Sequence, residues 1–289
     1  MPVTVHPFAI GFGAEIRGLE LSDPVFDGDS FEIWRKAWET HRVLVLHDQF
    51  FTDRQHIAFS EWFGPLEEFP DPKDWAADDL PNILRVSNVD RRTDTIKDVD
   101  EPGHKSFTLG TSDWHTDSSY LKVPCKGSLL YSREVPASGG DTMFANMEAA
   151  YAALPDKRKA DIAHLEVVHD FHWTRRRFGL PPRSPEVQAK TPAVTHPLVW
   201  TLPTGAKALL IGSHACTIVG MEEGVARKLL DELTEWATQP QFTYRHSWRV
   251  GDLVMWDNRC TMHRAMPYEL ANVRRVLQRT TVVGDGPVA

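Results

Sequence analysis

The sequence lacks the features of a membrane protein and of a nucleic-acid-binding protein. Its uninterrupted apolar runs, such as residues 43–46, are a handful of residues long, whereas a membrane-spanning helix needs about 20. The chain carries 32 basic and 40 acidic side chains in 289 residues, for a formal net charge of −8. Binding to nucleic acid requires clustered lysine and arginine, and the one dense basic run is the arginine triplet 175–177. We therefore expect neither a membrane nor a nucleic acid as a partner.

Cysteine is scarce as well. Cys125, Cys216 and Cys260 are an odd number, lie far apart and contain no Cys-x-x-Cys pair. This pattern indicates reduced thiols rather than disulfides or a zinc knuckle. The first residues show no basic segment followed by an apolar one, so we expect no signal peptide. Together these observations predict a cytoplasmic location.

Common nucleotide-binding and esterase motifs are also missing. Gly11 and Gly13 lack a third glycine at the spacing of a dinucleotide-binding loop, and no Walker pattern occurs. Nothing resembles the Gly-x-Ser-x-Gly turn of α/β-hydrolases. The chemistry must therefore come from other residues.

Segments with strand character outnumber helical ones and do not alternate with them regularly. Strands are predicted at residues 43–47, 82–87, 128–134, 208–211, 252–256 and 273–283. Helices are predicted at residues 30–40, after the capping-box pattern 52–55, at 146–154 and at 222–238. In the last helix, one apolar face is expected to contain Val225, Leu229, Leu233 and Trp236. This favours a mainly β fold, an antiparallel double-sheet barrel with flanking helices, over a doubly wound parallel sheet.

Two loop-rich stretches interrupt this pattern. They lie near residues 70–110 and 171–197 and are flanked on both sides by better-patterned segments. We interpret them as long insertions, so residues 1–289 are predicted to form a single domain.

Histidine, carboxylate and arginine side chains are the candidates for chemistry. In an extended segment, residues i and i+2 share a face, so His115 and Asp117 can reach one metal ion. A surface hydrogen-bonded pair remains the alternative for so short a pattern. A strand with Arg275, Leu277 and Arg279 on one face would direct two guanidinium groups the same way. Because arginine binds carboxylates through a fixed fork, that face could hold two organic acids, and a solvated strand edge is the alternative.

Several motifs in a fixed order resemble the taurine/2,4-dichlorophenoxyacetate dioxygenase family of Fe(II)- and 2-oxoglutarate-dependent oxygenases. They are Gly-Ala-Glu-Ile at 13–16, Phe-Gly-Pro-Leu at 63–66, Trp-His-Thr-Asp at 114–117, Gly-Gly-Asp-Thr at 139–142 and Trp-Asp-Asn at 256–258. Residues 87–89, 211–215 and 251–260 resemble the 2,4-dichlorophenoxyacetate (aryloxyalkanoate) branch most. The resemblance covers nearly the whole chain and implies a double-stranded β-helix, or jelly-roll, core.

The resemblance also implies the metal ligands and the cofactors. It assigns His115, Asp117 and His263 to the facial triad, which leaves three positions of an octahedral Fe(II) open. The implied co-substrates are 2-oxoglutarate and O₂. Relatives that halogenate lack the carboxylate ligand, so the presence of Asp117 favours hydroxylation.

The anion-binding residues follow from the same resemblance. Thr142 and Arg275 are implied for 2-oxoglutarate, and Arg279 for the anionic group of the substrate. The stretch after His263 is one residue longer than in relatives, so counting forward from it would choose Arg274 instead. Arg275 is preferred because a loop absorbs an insertion more easily than a strand does.

Two further polar residues, Asn88 and His214, match positions on the substrate side in relatives, and for each a satisfied structural polar group is the alternative. The implied reaction is hydroxylation of a carbon next to the carboxylate of a small organic acid, such as 2,4-dichlorophenoxyacetate. Collapse of the product would give a phenol and a 2-oxo acid, besides succinate and CO₂. The alternatives are a taurine, alkylsulfonate or other small-acid dioxygenase of this family, a zinc hydrolase, and a non-catalytic barrel that binds a small acid. We expect a homo-oligomer with a small anionic substrate.

Overall fold

Antiparallel strands make up most of the computed structural model, which describes residues 2–22, 28–69, 76–77 and 80–288. The strands are β1 (Thr4–Pro7), β2 (Ala14–Arg17), β3 (Val43–Leu46), β4 (Ala76–Ala77), β5 (Leu80–Ser87), β6 (Gly127–Glu134), β7 (Thr142–Asn146), β8 (Glu166–His169), β9 (Val194–Pro197), β10 (Val199–Thr201), β11 (Lys207–Leu209), β12 (Ala215–Ile218), β13 (Thr243–His246), β14 (Leu253–Asp257), β15 (Thr261–Ala265) and β16 (Val276–Val282). The helices are α1 (Gly28–His41), α2 (Asp53–Glu61), α3 (Pro102–Ser112), α4 (Met147–Ala152), α5 (Asp156–Ile162), α6 (Phe171–Arg177), α7 (Pro185–Lys190) and α8 (Glu223–Ala237), with a 3₁₀ turn at Pro240–Phe242.

Two sheets supply the centre of the fold. Among the described residues the larger sheet has the strand order β1-β2-β3-β14-β6-β16-β5-β4, and the smaller one has the order β13-β7-β15. The pairs are antiparallel except β2 with β3. Two lesser sheets, β12-β8-β9 and β10-β11, lie beside them. The expected antiparallel double-sheet arrangement is therefore present, and its strands are joined largely by long-range pairings such as β14 with β3 and β6.

The larger sheet is apolar on both faces because it is covered on both sides. In β3, Val43 and Val45 belong to an inner cluster that includes Phe144 of the smaller sheet. The alternate residues Leu44 and Leu46 belong to an outer cluster under α1 and α2. A strand buried on both faces is expected to show this continuous apolar run rather than an alternating one. The space between the two sheets is thus shielded from solvent by helices behind the larger sheet.

Helix starts follow the capping signals in the sequence. Thr52 Oγ1 accepts a hydrogen bond from the Gln55 amide at 3.3 Å, and Gln55 Oε1 accepts one from the Thr52 amide at 2.8 Å. The side chain of Asn146 accepts a bond from the Ala149 amide at 2.9 Å, which caps α4. The reciprocal pair at α2 and the single bond at α4 satisfy amides that the first helical turn leaves without partners.

The buried face of α8 differs from the predicted one. Val225 is 57% exposed, whereas Ala226, Leu230 and Leu233 are buried. The prediction was wrong for Val225 and is confirmed for Leu233, and Leu229 and Trp236 are partly buried against the same core. Ala226 and Ala237, which the prediction left out, complete the stripe that packs on the core.

The two loop-rich stretches contain regular structure where they are described. Residues 70–75 and 78–79 of the first stretch lie outside the described residues, and the remainder includes β5 and α3. The second contains α6, α7 and β9, and α6 begins where an Asp170 oxygen accepts a bond from the His172 amide at 2.8 Å. None of the helices in the described part of the chain is long and apolar enough to span a membrane. The single-domain assignment stays a prediction.

Candidate active site

Three side chains that can bind a metal ion lie close together in the interior. The Nε2 atoms of His115 and His263 are 3.9 and 3.8 Å from carboxylate oxygens of Asp117, and the three ligand atoms lie within 4.8 Å of one another. All three residues are buried. These separations are too long for hydrogen bonds, and they leave room for one ion between two imidazoles and a carboxylate. The donor set therefore fits the 2-His-1-carboxylate triad.

The main chain fixes the two imidazoles relative to each other. The His115 amide donates to the His263 carbonyl at 3.0 Å, and the reverse bond measures 2.8 Å. This bridge adds residue 115 to the edge of β15. The Nδ1 of His115 lies 2.8 Å from the Asp113 carbonyl, so Nδ1 carries the proton and Nε2 keeps its lone pair for a metal. The His263 ring packs against Trp256 with centroids 4.6 Å apart.

The electrostatics keep the triad in metal-binding protonation states. Burial lowers the pKa of His115 to about 4 and holds the pKa of His263 well below its ordinary value. Burial alone would raise the pKa of Asp117, but the Arg279 guanidinium and the two imidazoles outweigh it and lower the pKa. Neutral imidazoles and an ionised carboxylate are the forms that bind a metal.

A hydrogen-bond relay from the larger sheet orients Asp117. Ser128 Oγ donates to Asp117 Oδ2 at 2.8 Å and accepts from Asn258 Nδ2 at 2.9 Å. Asn258 Oδ1 accepts from Trp256 Nε1 at 2.9 Å and from the Asp117 amide at 3.3 Å. Partners of this kind set the orientation and basicity of a ligand. Sequence reasoning noted the Trp-Asp-Asn motif without a role for it, and it missed Ser128.

The triad opens into a cavity of about 330 Å³. Apolar side chains from both the sheets and the helices make up much of its wall: Phe69, Leu84, Val86, Phe107, Leu130, Phe171, Val187 and Trp256. Its cationic side chains are Arg175, Arg183, Arg275 and Arg279. Small organic acids suit such a cavity, because apolar surface binds the carbon skeleton and a few convergent polar groups fix its orientation.

The structure separates the two neighbouring arginines that precede β16. Arg274 turns outward, where its Nε donates to Glu134 at 2.6 Å and its Nη2 to Asp94 at 2.7 Å. Arg275 is 4% exposed and lines the cavity. Burial lowers the pKa of Arg275 to about 10, and no carboxylate of the described residues forms an ion pair with it. A buried guanidinium of this kind is available to an anionic ligand.

The Gly-Gly-Asp-Thr motif accommodates that guanidinium. Arg275 Nε donates to the Gly140 carbonyl at 3.0 Å. A Cβ at Gly140 would lie 3.1 Å from Arg275 Nε, and its φ of +68° also favours glycine. Thr142 lines the same cavity and accepts a bond from Trp248 Nε1 at 3.0 Å. Its own hydroxyl proton is therefore free to point at a ligand.

Arg279 lies nearest to the triad. Its Nη1 is hydrogen-bonded to Asp117 Oδ1, and its buried Nε has no hydrogen-bond partner among the described residues. Beside it, Ser118 Oγ donates to Glu67 at 3.0 Å, and burial raises the pKa of Glu67 to about 6. Arg279 is thus both a neighbour of the metal ligand and an available donor for a second ligand.

Asn88 and His214 have different surroundings. Asn88 lines a neighbouring cavity of about 140 Å³ rather than the triad cavity, and its side chain bonds to main-chain groups of residues 270–275. His214 lines the triad cavity, and its buried Nδ1 has no partner among the described residues. Burial lowers the pKa of His214 to about 3. Its ring contacts Tyr120, which sequence reasoning missed because no motif marks it.

A buried His-Asp-His site between antiparallel sheets defines the class of the non-haem iron oxygenases. The family described as "Taurine catabolism dioxygenase TauD, TfdA family" matches residues 4–281. The (S)-phenoxypropionate/alpha-ketoglutarate-dioxygenase of Sphingobium herbicidovorans is 33% identical over 97% of this chain and 95% of its own. The alpha-ketoglutarate-dependent 2,4-dichlorophenoxyacetate dioxygenase of Cupriavidus pinatubonensis is 36% identical over 100% of both chains. The crystal structure of AAD-2 in complex with Mn(II) and N-oxalylglycine matches with a TM-score of 0.91 and 36% identity, over 100% of this chain and 99% of that one.

The chain therefore belongs to the TauD/TfdA dioxygenase family. It is a 2-oxoglutarate-dependent non-haem iron dioxygenase that uses Fe(II), 2-oxoglutarate and O₂ and acts on a small molecule. The expected mainly β, jelly-roll fold is confirmed.

Proposed function

We propose that the substrate is an aryloxyalkanoate such as 2,4-dichlorophenoxyacetate, hydroxylated at the carbon next to its carboxylate. The observation that carries this proposal is Arg279, which reaches the triad through Asp117 and has an unpartnered buried Nε in a largely apolar cavity. A carboxylate on that arginine would hold the adjacent carbon near the metal, and the apolar wall would receive an aryl ring. The relatives named for phenoxypropionate and dichlorophenoxyacetate support this choice.

We assign the remaining roles as follows. His115, Asp117 and His263 would hold Fe(II), which when bound supplies O₂ activation coupled to conversion of 2-oxoglutarate into succinate and CO₂. Arg275 would bind the distal carboxylate of 2-oxoglutarate with help from the Thr142 hydroxyl, and Arg274 would take no part because it is engaged by surface carboxylates.

Two further assignments, for His214 and Asn88, follow from the local contacts. His214 would line the substrate end of the cavity as a neutral imidazole. Asn88 would act on the loop before Arg275 and not on the substrate.

Product release needs no further catalytic group. A hydroxyl added to a carbon that bears an aryloxy group makes a hemiacetal, which collapses to a phenol and a 2-oxo acid. The protein's part is to hold the carboxylate at Arg279 and to keep bulk water from the reacting carbon.

We also propose a single domain over residues 1–289, a cytoplasmic location and a homo-oligomer. Light scattering would test the proposed homo-oligomer.

The deciding experiment measures succinate from anaerobically purified, Fe(II)-loaded protein after addition of 2-oxoglutarate and air. Aryloxyacetates, both 2-aryloxypropionate enantiomers and taurine are compared, with phenol and sulfite assayed in parallel. Succinate matched by phenol supports the proposal, whereas succinate matched by sulfite from taurine supports the alkylsulfonate alternative. Substrate turnover by zinc-loaded protein under nitrogen would point to a hydrolase. Ligand binding without any turnover would point to a non-catalytic barrel.

A further inference from the structure

A second cationic group enters the cavity from the covering segment, residues 170–191, which connects β8 to β9. Arg183 lies between α6 and α7 in this segment and lines the triad cavity. Its guanidinium carbon is 5.4 Å from the centroid of the Phe171 ring. The Arg183 carbonyl accepts a bond from Gln188 Nε2 at 2.7 Å. Contacts on both its main chain and its side chain therefore hold this arginine at the cavity wall.

The Arg183 guanidinium has hydrogen-bonding capacity that the described residues do not use. Its Nε is buried and has no hydrogen-bond partner in the described part of the chain. No aspartate or glutamate of the described residues forms an ion pair with it. A buried donor without a partner is unfavourable, so this site is suited to an acceptor supplied by a ligand.

The charged groups near Arg183 increase the local positive potential. Burial and then the charge of Arg183 lower the pKa of Arg175, which lines the same cavity. The Arg175 guanidinium is already hydrogen-bonded within the protein, because its Nε and Nη2 donate to the Pro181 carbonyl at 3.0 and 2.7 Å. Burial is the main cause of the lowered pKa of His172; the Asp170 carboxylate opposes it, and the charges of Arg183, Arg176 and Arg175 add to it. Asp170 is itself paired with Arg176, so the remaining arginine charge favours an anion at Arg183.

This positive charge exceeds what the proposed function requires. 2-Oxoglutarate would use Arg275, and the substrate carboxylate would use Arg279, which projects from β16 of the larger sheet. Arg183 comes from a different wall, where Phe171 contacts both its guanidinium and Tyr120. The ring centroids of Phe171 and Tyr120 are 4.6 Å apart. A substrate that extends from Arg279 along these aromatic rings would present its far end to Arg183.

We propose that Arg183 forms a second anion subsite, which binds a carboxylate or similar anionic group at the end of the substrate remote from Arg279. This inference rests on the proposed function and adds that, within its substrate class, aryloxyalkanoates with a second acidic group on the ring are preferred. A guanidinium binds a carboxylate by charge-assisted, often bidentate hydrogen bonds, which strengthen where water is excluded.

The test compares phenoxyacetate with 4-carboxyphenoxyacetate, which differ in one ring carboxylate. Arg183→Met removes the charge and keeps an unbranched apolar stem against Phe171. We expect the ratio of kcat/KM for 4-carboxyphenoxyacetate to that for phenoxyacetate to fall by about 10- to 100-fold, and Arg183→Lys to restore part of it. The matched control is Arg176→Met, because Arg176 pairs with Asp170 on the exposed side of α6. It should leave the ratio unchanged.

A binding arm separates this inference from the proposed function. Protein loaded with Mn(II) and 2-oxoglutarate under nitrogen is titrated with each acid by calorimetry. If the diacid binds more tightly than the monoacid and Arg183→Met removes the difference, the subsite holds even where neither acid is oxidised. If both acids are oxidised and the Arg183 variants leave the ratio unchanged, the subsite is wrong and the proposed function stands. Equal affinity of the parent for both acids would also overturn the subsite.

Discussion

At the scale of single residues, the adjacent side chains of Arg274 and Arg275 have different surroundings, one paired at the surface and the other buried at the cavity. Arg275→Gln should raise KM for 2-oxoglutarate by about 10- to 100-fold, because a buried carboxylate would lose its charge-assisted partner. Arg274→Gln is the matched control and should change KM little, since its ion pairs with Glu134 and Asp94 lie at the surface. Initial-rate kinetics with varied 2-oxoglutarate measure both. A larger effect from Arg274→Gln would reverse the assignment.

We expect Asn88 to affect 2-oxoglutarate binding through the main chain. Its Oδ1 accepts from the Arg275 amide at 2.8 Å, and its Nδ2 donates to the carbonyls of Leu270 and Val273 at 2.9 and 2.8 Å. Asn88→Ala should raise KM for 2-oxoglutarate by roughly 10-fold, because the loop that presents Arg275 would lose three bonds. Asn88→Asp keeps the acceptor for the Arg275 amide, so its KM for 2-oxoglutarate should lie between those of the parent and Asn88→Ala. A raised KM for the primary substrate alone would instead favour the original substrate-side prediction.

Motifs made part of this site predictable. His115, Asp117 and His263 occur in segments with recognisable neighbours, and a strand spacing of two suffices to place the first two on one face. Arg183 and Ser128 could not be predicted in the same way. Their roles depend on which distant segment packs against them, and no local pattern records that.

At the scale of elements, His47 at the end of β3 and His246 at the end of β13 meet on one buried carboxylate, Asp252. His47 Nδ1 lies 2.6 Å from Asp252 Oδ1. This hydrogen bond is the main cause of the raised pKa of His47. The folded state therefore binds the His47 proton more tightly than the unfolded chain does. The stabilisation is complete below the ordinary pKa of about 6.5 and is lost as the pH rises through the raised value.

We therefore expect the stability difference between the parent and His47→Gln to shrink from about pH 6 to about pH 9. Urea unfolding at several pH values measures it. His41→Gln is the control, because burial lowers the pKa of His41. The difference in free energy of unfolding between the parent and His41→Gln should be constant above about pH 7. A His47 difference that stays flat over the same range would show that the bond to Asp252 does not depend on a protonated ring.

The elements themselves were predictable where burial alone selects their residues. The predicted strands at 43–47 and 128–134 match β3 and β6 to within one residue at each end. The smaller sheet was missed, because β7, β13 and β15 are short and carry polar residues such as Thr142 and His263 on the face toward the site. Where chemistry occupies the inward positions, the apolar alternation that identifies a strand is interrupted.

At the scale of the whole molecule, the double-sheet class followed from the excess of strands over helices, but the pairing did not. Strand β14 lies between β3 and β6, which are more than a hundred residues earlier in the chain. Such a neighbour is selected by the complementarity of complete apolar faces, and a single segment does not contain that information. The site also depends on segments that are distant in sequence, since the bridge between His115 and His263 joins two of its candidate ligands.

Because metal and 2-oxoglutarate would join segments that are far apart in sequence, their binding should stabilise the fold as a unit. A ligand that binds only the folded state at 100 times its Kd adds about 2.7 kcal/mol, which for a chain of 289 residues corresponds to a rise in Tm of roughly 4–5 °C. We expect Mn(II) with 2-oxoglutarate to produce this rise in scanning fluorimetry under nitrogen, and EDTA to reverse it. In Asp117→Ala, Mn(II) should change Tm little. In Arg275→Gln, Mn(II) should still raise Tm, but 2-oxoglutarate should add no further rise. A full shift in Asp117→Ala would place the stabilising metal elsewhere, because that variant lacks the carboxylate that lies between the two imidazoles.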